Sequence, residues 1–164
     1  MTKKQKLLSL TLPLGVIILD QITKILIVAK IPMWTVGKSF FGDFLRIVHV
    51  RNLGIAFSLG DGFPDHIRSA VFKILPLIAL VVILIYYFKS NEFTPFQGWN
   101  LAGIVGGGFG NLIDRFFRPD GVVDFIDVKF YGLFGLERWP TFNVADATVV
   151  VCGTLFAISL LKKR

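Results

Sequence analysis

The sequence predicts an all-α membrane protein with four transmembrane helices and a small antiparallel β-sheet outside the membrane. Of its 164 residues, 54% are hydrophobic and only 18% are charged, and the mean hydropathy is +0.67. A soluble domain of this length could not bury so many apolar side chains in one core, so a lipid environment is indicated. The apolar residues form four long runs, and β-branched residues alternate with others in one intervening segment.

Each apolar run has about the 20 residues needed to cross the hydrocarbon core of a bilayer. The first follows a basic segment, as in a signal peptide, but it lacks a small-residue cleavage site, so we expect a retained helix. The second contains Pro76, which a membrane helix tolerates, and Lys73, which can extend its ammonium group to the interface. The predicted spans are residues 7–29, 67–88, 99–117 and 142–161.

The net charge of +7 is concentrated near the two ends of the chain. Residues 3–6 and 162–164 supply six of the eighteen basic residues, which leaves twelve between them against eleven acidic ones. This near balance argues against a nucleic-acid partner. An even number of spans puts both termini on one side of the membrane, and the dense basic ends indicate that this side is the cytoplasm.

Two polar stretches, residues 30–66 and 118–141, are then expected outside the cytoplasm. The first contains the alternating sequence FLRIVHV followed by the turn-rich LGDGFPD, which predicts a short antiparallel sheet. The second contains Phe130 and Trp139 among its aromatic residues, which indicates that it lies at the membrane interface. Because no repeat or low-complexity segment divides the chain, we expect residues 1–164 to form a single domain.

Charged residues within membrane spans are costly, so each is a candidate for function. Asp20 and Lys24 lie four residues apart on one helical face, where an ion pair explains them as well as a contact with substrate does. Arg115 follows Asp114 directly, and an ion pair between them is the corresponding simple interpretation. The glycines around Gly107 lack the Lys-Ser/Thr ending of a phosphate-binding loop, and close helix packing is the better explanation.

Two further carboxylates, Asp124 and Asp146, are expected at the outer membrane boundary. If they lie close together they would share a proton, so that one could take a proton from water while the other donates to a carbonyl oxygen. Peptide hydrolysis needs both roles. Spacing alone favours the simpler interpretation, in which each Asp caps a helix or pairs with a cation.

Other catalytic chemistries find little support in the sequence. His49 and His66 have no serine motif or positioned acid with which to form a triad. Cys152 is the single cysteine and lies in an apolar run, where it is best explained as a small buried residue. With one Cys and two His, the sequence does not predict a metal site.

Five short motifs occur in order along the four predicted spans and the stretches between them. They are DQITK (Asp20–Lys24), RNLGIAFS (Arg51–Ser58), GGGFGNLIDR (Gly106–Arg115), VVDFID (Val122–Asp127) and FNVADA (Phe142–Ala147). Any one motif would be a weak signal, but the five together, in this order, resemble those of the bacterial lipoprotein signal peptidases, the signal peptidase II family.

The resemblance implies an aspartic endopeptidase of the bacterial cytoplasmic membrane, with its active site toward the outer leaflet and no metal or other cofactor. It would remove signal peptides from diacylglyceryl-modified prolipoproteins by cutting before the lipidated cysteine. Asp124 and Asp146 fall on the positions of the catalytic pair, called the dyad below, while Asp114 and Asp127 suit a structural role. The other signature positions, expected to line or brace the substrate groove, are Asp20, Lys24, Asn52, Gly54, Asn111, Arg115, Asn143 and Ala145.

The family also implies a β-cradle in the first outer stretch and a short interfacial helix in the second. Expected partners are prolipoprotein substrates and membrane lipid, and the family suggests globomycin-type peptide antibiotics as a further ligand class. Nothing in the sequence requires more than a monomer. The rival interpretation is a small transporter in which Asp20, Lys24 and Asp146 relay ions, but the internal repeats that would support it are absent.

Overall fold

The computed structural model describes residues 1–54 and 64–162, with the side chains of residues 65–69 left out. Residues 55–58 of the RNLGIAFS motif, most of the turn-rich LGDGFPD segment, the His66 side chain and the last two basic residues therefore lie outside the described part. The helices are α1 (Lys3–Ser9), α2 (Thr11–Lys30), α3 (Asp65–Lys89), α4 (Pro95–Phe117) and α5 (Val144–Leu161), and the strands are β1 (Val36–Phe40), β2 (Leu45–Asn52) and β3 (Val122–Val128).

The first predicted span is divided at Leu10 into the short helix α1 and the longer helix α2. Pro13 accounts for the break, because it has no N–H for the carbonyl of Ser9 and its ring crowds that carbonyl. The short helix is tied to the end of α3, where the Lys6 ammonium donates to the carbonyl oxygens of Phe88 at 3.0 Å and Ser90 at 2.6 Å. These bonds satisfy carbonyl groups that a helix C-terminus leaves without partners.

Helix α4 is surrounded by the other long helices and packs against α2, α3 and α5. In the described part of the chain, three segments are long and apolar enough to cross a membrane: Lys3–Lys30, Ala70–Lys89 and Val144–Leu161. Helix α4 has 23 residues but is not among them, since its Gly, Asn and Gln residues lower its hydropathy. A helix enclosed by other helices has less need of apolar side chains than one that faces lipid.

The glycine-rich part of α4 allows this close packing, as the sequence predicted. A Cβ atom at Gly107 would lie 2.4 Å from the carbonyl oxygen of Ala145 in α5. That separation is too short for any side chain, so glycine is required where the two helices touch. The contact brings the N-terminal turn of α5 against the middle of α4.

The three strands form one antiparallel sheet in the order β1-β2-β3. The hairpin of β1 and β2 confirms the sheet predicted in the first outer stretch. The third strand comes from the second outer stretch and was not predicted, although its VVDFIDV sequence is rich in β-branched residues. The backbone N–H groups of Phe125 and Ile126 donate to the carbonyl oxygen of Phe142 at 3.1 and 2.8 Å, which joins β3 to the segment leading into α5.

The rest of the second outer stretch is mostly irregular. The short helix expected there is reduced to a 3-10 turn, Leu133–Gly135, because many residues of this stretch belong to β3 instead. Tyr131 and Phe134 project their rings to the exterior beside this turn. The aromatic character that suggested an interfacial segment is therefore present on the surface, without the helix.

Candidate active site

The two carboxylates of the dyad come from different elements that meet at one end of the helices. Asp124 lies in the middle of β3, where it pairs with Val50 of β2. Asp146 lies in the first turn of α5. The backbone bonds between β3 and Phe142 hold the two elements together just before α5 begins.

Asn143, the N-cap residue of α5, is bonded to both carboxylates. Its side-chain amide nitrogen donates to Asp124 Oδ1 at 2.7 Å. Its backbone N–H donates to Asp146 Oδ2 at 3.2 Å, and its side-chain oxygen accepts from the Asp146 N–H at 2.9 Å. Asp146 therefore does belong to a helix cap, as the simpler interpretation held, and the same cap brings it next to Asp124.

Asp124 is almost fully buried, with 2% of its surface exposed. Its second oxygen accepts from the side-chain amide of Asn52 at 3.0 Å. Burial raises the pKa of Asp124 to about 7, and the negative charge of Asp146 adds to the effect, while the bonds from Asn52 and Asn143 oppose it. A carboxyl group in this environment holds a proton near neutral pH.

Asp146 accepts a second side-chain hydrogen bond, from the amide of Asn111 in α4 at 2.6 Å. The side-chain oxygen of Asn111 in turn accepts from the ammonium group of Lys24 at 2.9 Å and from the Asn143 amide at 3.0 Å. Asn111 thus connects Asp146 to the charged residues of α2 without placing a cation directly on it.

Asp20, Lys24 and Asp114 form a second group, called the ion cluster below, whose side chains are 0% exposed. The ammonium group of Lys24 lies 2.8 Å from Asp20 Oδ2 and 3.1 Å from Asp114 Oδ2, so the expected Asp20–Lys24 pair is present. Asp20 also accepts from the backbone N–H of Ala145 at 3.0 Å. The expected pair of Asp114 with Arg115 is wrong, because Asp114 pairs with Arg118 one helical turn further on.

Two other predicted residues, Gly54 and Arg115, form no hydrogen bond with either carboxylate in the described part of the chain, although the charge of Arg115 interacts with both. The backbone N–H of Gly54 donates to the side-chain oxygen of Asn52 at 2.8 Å, in a turn with φ of +93° that favours glycine. Gly54 thereby orients the amide that Asn52 presents to Asp124. Arg115 forms no hydrogen bond with the part of the chain that is described, and its buried Nε atom has no acceptor there.

An open cleft of about 730 Å³ lies beside Asp124, and Asp146 is not among its described lining residues. Asp124 and Asn52 lie on its wall. The exposed side chains of Met33 and Trp34 give the cleft an apolar border. The cleft is therefore suited to an extended chain carrying apolar groups, held with a backbone segment next to Asp124.

Some residues of the site were not predicted individually. Gln21 is within the DQITK motif, and its amide donates to Asp20 at 3.2 Å, Asp114 at 3.0 Å and the Gly110 carbonyl at 3.0 Å. Its position one residue after Asp20, inside a span, was the available signal. Met33 and Trp34 precede the predicted sheet, and nothing in the sequence pattern around these apolar residues indicates a role in the site.

His49 and Cys152, for which the sequence analysis found no catalytic role, have structural explanations. His49 is buried in β2, where its Nδ1 atom bonds the Ile31 carbonyl oxygen at 2.8 Å. Cys152 is half-buried in α5 and is a free thiol. Among the side chains that the structure describes, which exclude those of residues 55–63 and 65–69, no group of three or more His, Cys, Asp or Glu is arranged to hold a metal ion.

Comparison with known proteins gives consistent matches over most of the chain. A family model described as signal peptidase (SPase) II matches residues 12–162. A lipoprotein signal peptidase of Treponema pallidum is 52% identical over 149 residues, which cover 91% of this chain and 80% of the relative. The lipoprotein signal peptidase of Treponema denticola is 48% identical over 159 residues, covering 97% and 91% respectively. A bacterial membrane enzyme solved by the in meso method at 1.9 Å resolution matches with a TM-score of 0.79 and 29% identity, over 95% of this chain and 94% of that chain.

Proposed function

The chain belongs to the signal peptidase II family, and on this premise we propose that it is an aspartic endopeptidase acting on diacylglyceryl-modified prolipoproteins. It removes the signal peptide by cutting immediately before the lipidated cysteine. The names of its relatives support lipoproteins as the substrate class. The observation that carries the aspartic mechanism is the contact of Asn143 with both Asp124 and Asp146 beside an open cleft.

In this mechanism the two carboxylates share one proton and act on opposite sides of the scissile peptide bond. Asp124, with a pKa raised to about 7, carries the proton and donates it toward the carbonyl oxygen. Asp146 accepts two N–H bonds and lies at the N-terminus of α5, both of which stabilise negative charge. It is therefore the group assigned to take a proton from water.

The chemical step needs only water and the two carboxyl groups. As Asp146 removes a proton from water, the water oxygen bonds to the carbonyl carbon and the carbonyl oxygen receives the proton of Asp124. The tetrahedral intermediate then collapses, the C–N bond breaks, and the departing amine takes the proton held by Asp146. The hydroxyl proton returns to Asp124, which restores the starting state without a covalent enzyme intermediate or a cofactor.

The membrane arrangement follows from the same proposal. Helices α2, α3, α4 and α5 are assigned as four spans of the bacterial cytoplasmic membrane, with both termini in the cytoplasm. The sheet, the dyad and the cleft then lie at the outer boundary. A substrate anchored by acyl chains would meet the site without leaving the membrane, and the exposed apolar residues Met33 and Trp34 offer a surface for those chains.

The test is cleavage of a lipidated precursor by purified variants of the full chain. Asp124→Asn and Asp146→Asn should each lower the rate at least about 100-fold, because each removes one of the two proton-transfer groups. Asp120→Asn is the matched control, since Asp120 lies exposed on the same cleft and forms no hydrogen bond with the described residues. Near-normal turnover by either dyad variant, in protein that is inserted and monodisperse, would falsify the assignment.

A further inference from the structure

A second cleft, of about 510 Å³, lies between the early part of α3 and the C-terminal end of α4. Its lining includes Phe72 and Lys73 from α3 and residues 115–117 from α4. It shares Asn52 and Leu53 with the cleft beside the dyad, so the two are neighbours. The proposed cleavage mechanism uses neither Lys73 nor this volume.

The cleft is positively charged. Lys73, Arg115 and Arg118 line it, and none of its described lining residues is acidic. Arg118 is partly neutralised by Asp114 at 3.1 Å. Lys73 has no carboxylate partner among the side chains that the structure describes, and its ammonium group lies 6.0 Å from the centroid of the Phe116 ring. The charge of Arg115 interacts with Asp146, Asp124 and Asp114, so Lys73 is the cation of this cleft without an acidic partner among the described side chains.

The mouth of the cleft is apolar and faces outward. Phe117 is 79% exposed and Phe116 is 49% exposed, and both belong to the lining. Exposed aromatic rings on a membrane protein are typical of contact with lipid near the interface. A ligand that fits here combines a compact anion with hydrocarbon, because the cations lie within the cleft and the apolar surface lies at its edge.

We propose that this α3–α4 cleft binds an anionic phospholipid, with Lys73 and Arg118 facing the phosphate group and the acyl chains lying along Phe116 and Phe117. A basic side chain close to the bilayer surface attracts an anionic headgroup by Coulomb interaction. A soluble phosphate would gain nothing from the exposed rings. The bound lipid would border the cleft beside the dyad through Asn52 and Leu53, and its binding does not depend on the cleavage chemistry.

The experiment is native mass spectrometry of the full-length protein in detergent with equal amounts of dioleoyl phosphatidylglycerol and dioleoyl phosphatidylcholine. The wild type should retain phosphatidylglycerol as its first bound lipid in preference to phosphatidylcholine. Lys73→Gln should reduce that preference about fivefold, the effect of one basic residue close to an anionic lipid. Lys73→Arg keeps the charge and should keep the preference. Lys38→Gln makes the same charge change at an exposed residue of β1, away from the cleft, and should have no effect.

Three results would overturn the proposal. The first is a wild type that shows no preference between the two lipids, a measurement that does not rely on any variant folding. The second is an equal loss of preference in Lys73→Gln and Lys38→Gln, which would mean a diffuse charge effect. The third is displacement of the bound lipid by inorganic phosphate at equal concentration, which would indicate a site for soluble phosphate. None of these outcomes bears on the peptidase assignment, because no cleavage is measured.

Discussion

The ion cluster and the dyad are adjacent groups of buried carboxylates with different partners. In the ion cluster, the ammonium group of Lys24 lies within 3.1 Å of both Asp20 and Asp114. In the dyad, Asp124 and Asp146 receive side-chain bonds from the neutral amides of Asn52, Asn111 and Asn143. The ion cluster thus has a cation among its hydrogen-bond donors, whereas the dyad accepts from neutral amides, and burial raises the pKa of Asp124 to about 7.

The two groups also differ in what they do for the fold. The ion cluster ties α2 to α4 through Lys24 and Asp114, and to α5 through the bond from Ala145 N–H to Asp20. The dyad lies at the meeting point of β3 and α5, next to a cleft. Neighbouring acids at one end of the helices therefore differ in their hydrogen-bond partners, and the proposed function assigns the reactive role to the pair that is bonded by neutral amides.

The largest expected effect comes from removing the cation of the ion cluster. Lys24→Met leaves the buried Asp20 without a countercharge and Asp114 with Arg118 alone, and it should lower the free energy of unfolding by about 3–5 kcal/mol. Chemical denaturation of the purified protein in detergent measures this. Lys30→Met, at the exposed end of the same helix, should change stability by less than about 1 kcal/mol.

The same denaturation experiment on Asp124→Asn shows whether the dyad contributes less to stability than the ion cluster does. That substitution removes a buried acid with a raised pKa and introduces no uncompensated charge, so stability should change far less than in Lys24→Met. Equal destabilisation by the two variants would mean that the dyad is as structural as the ion cluster, and the comparison would fail.

A smaller effect is expected where one residue serves both the fold and the dyad. Asn143→Ser keeps an oxygen able to cap α5, but loses the amide that reaches Asp124. Cleavage should slow about 10- to 100-fold, because the amide stabilises the negative charge that Asp124 acquires when it gives up its proton, and a hydrogen bond to a charged group has about that effect. Asn143→Ala should be equally slow and about 1 kcal/mol less stable than Asn143→Ser, because it also loses the cap. Wild-type turnover by Asn143→Ser would contradict the role assigned to the amide.

Much of this arrangement could be predicted from the sequence because its signals are local. Apolar runs located the long helices, alternation located the hairpin, and isolated charges marked the site residues. The Asp20–Lys24 pair follows from a spacing of four on one helix and is confirmed at 2.8 Å. The family resemblance drawn from five motifs is confirmed by the match over residues 12–162.

The remaining features depend on contacts between distant parts of the chain. The segment of β3 forms a strand because β2 is available to pair with it, whereas the family resemblance implied an interfacial helix in the same stretch. Asp114 forms an ion pair with Arg118 rather than with the adjacent Arg115, because residues four apart lie on the same face of a helix and adjacent residues do not. The bridge from Asn111 to both Lys24 and Asp146 joins three helices, and no local pattern encodes it.

The smallest expected effect concerns the pH at which the dyad loses its proton. Because the pKa of Asp124 is raised to about 7, cleavage should fall as pH rises above about 7 and the proton donor is lost. The free energy of unfolding should also fall as the pH rises. The folded pKa exceeds the unfolded value of about 3.9, so this group's contribution is fully present below that value and is lost as pH rises through about 7.

Asn52→Ala tests whether neutral donors set this pKa. The bond from Asn52 stabilises the ionised form of Asp124, so its removal should raise the pKa and move the alkaline limb of the rate profile upward by about half to one pH unit. Asn100→Ala is the control, because that amide bonds the Phe96 carbonyl within α4 and should leave the limb in place. The position of the limb, rather than the maximal rate, is the decisive reading, since a merely structural role for Asn52 would lower the rate at every pH alike. A limb that stays in place or moves to lower pH would show that the amides do not control the proton on Asp124, and the distinction between the ion cluster and the dyad would then rest on burial alone.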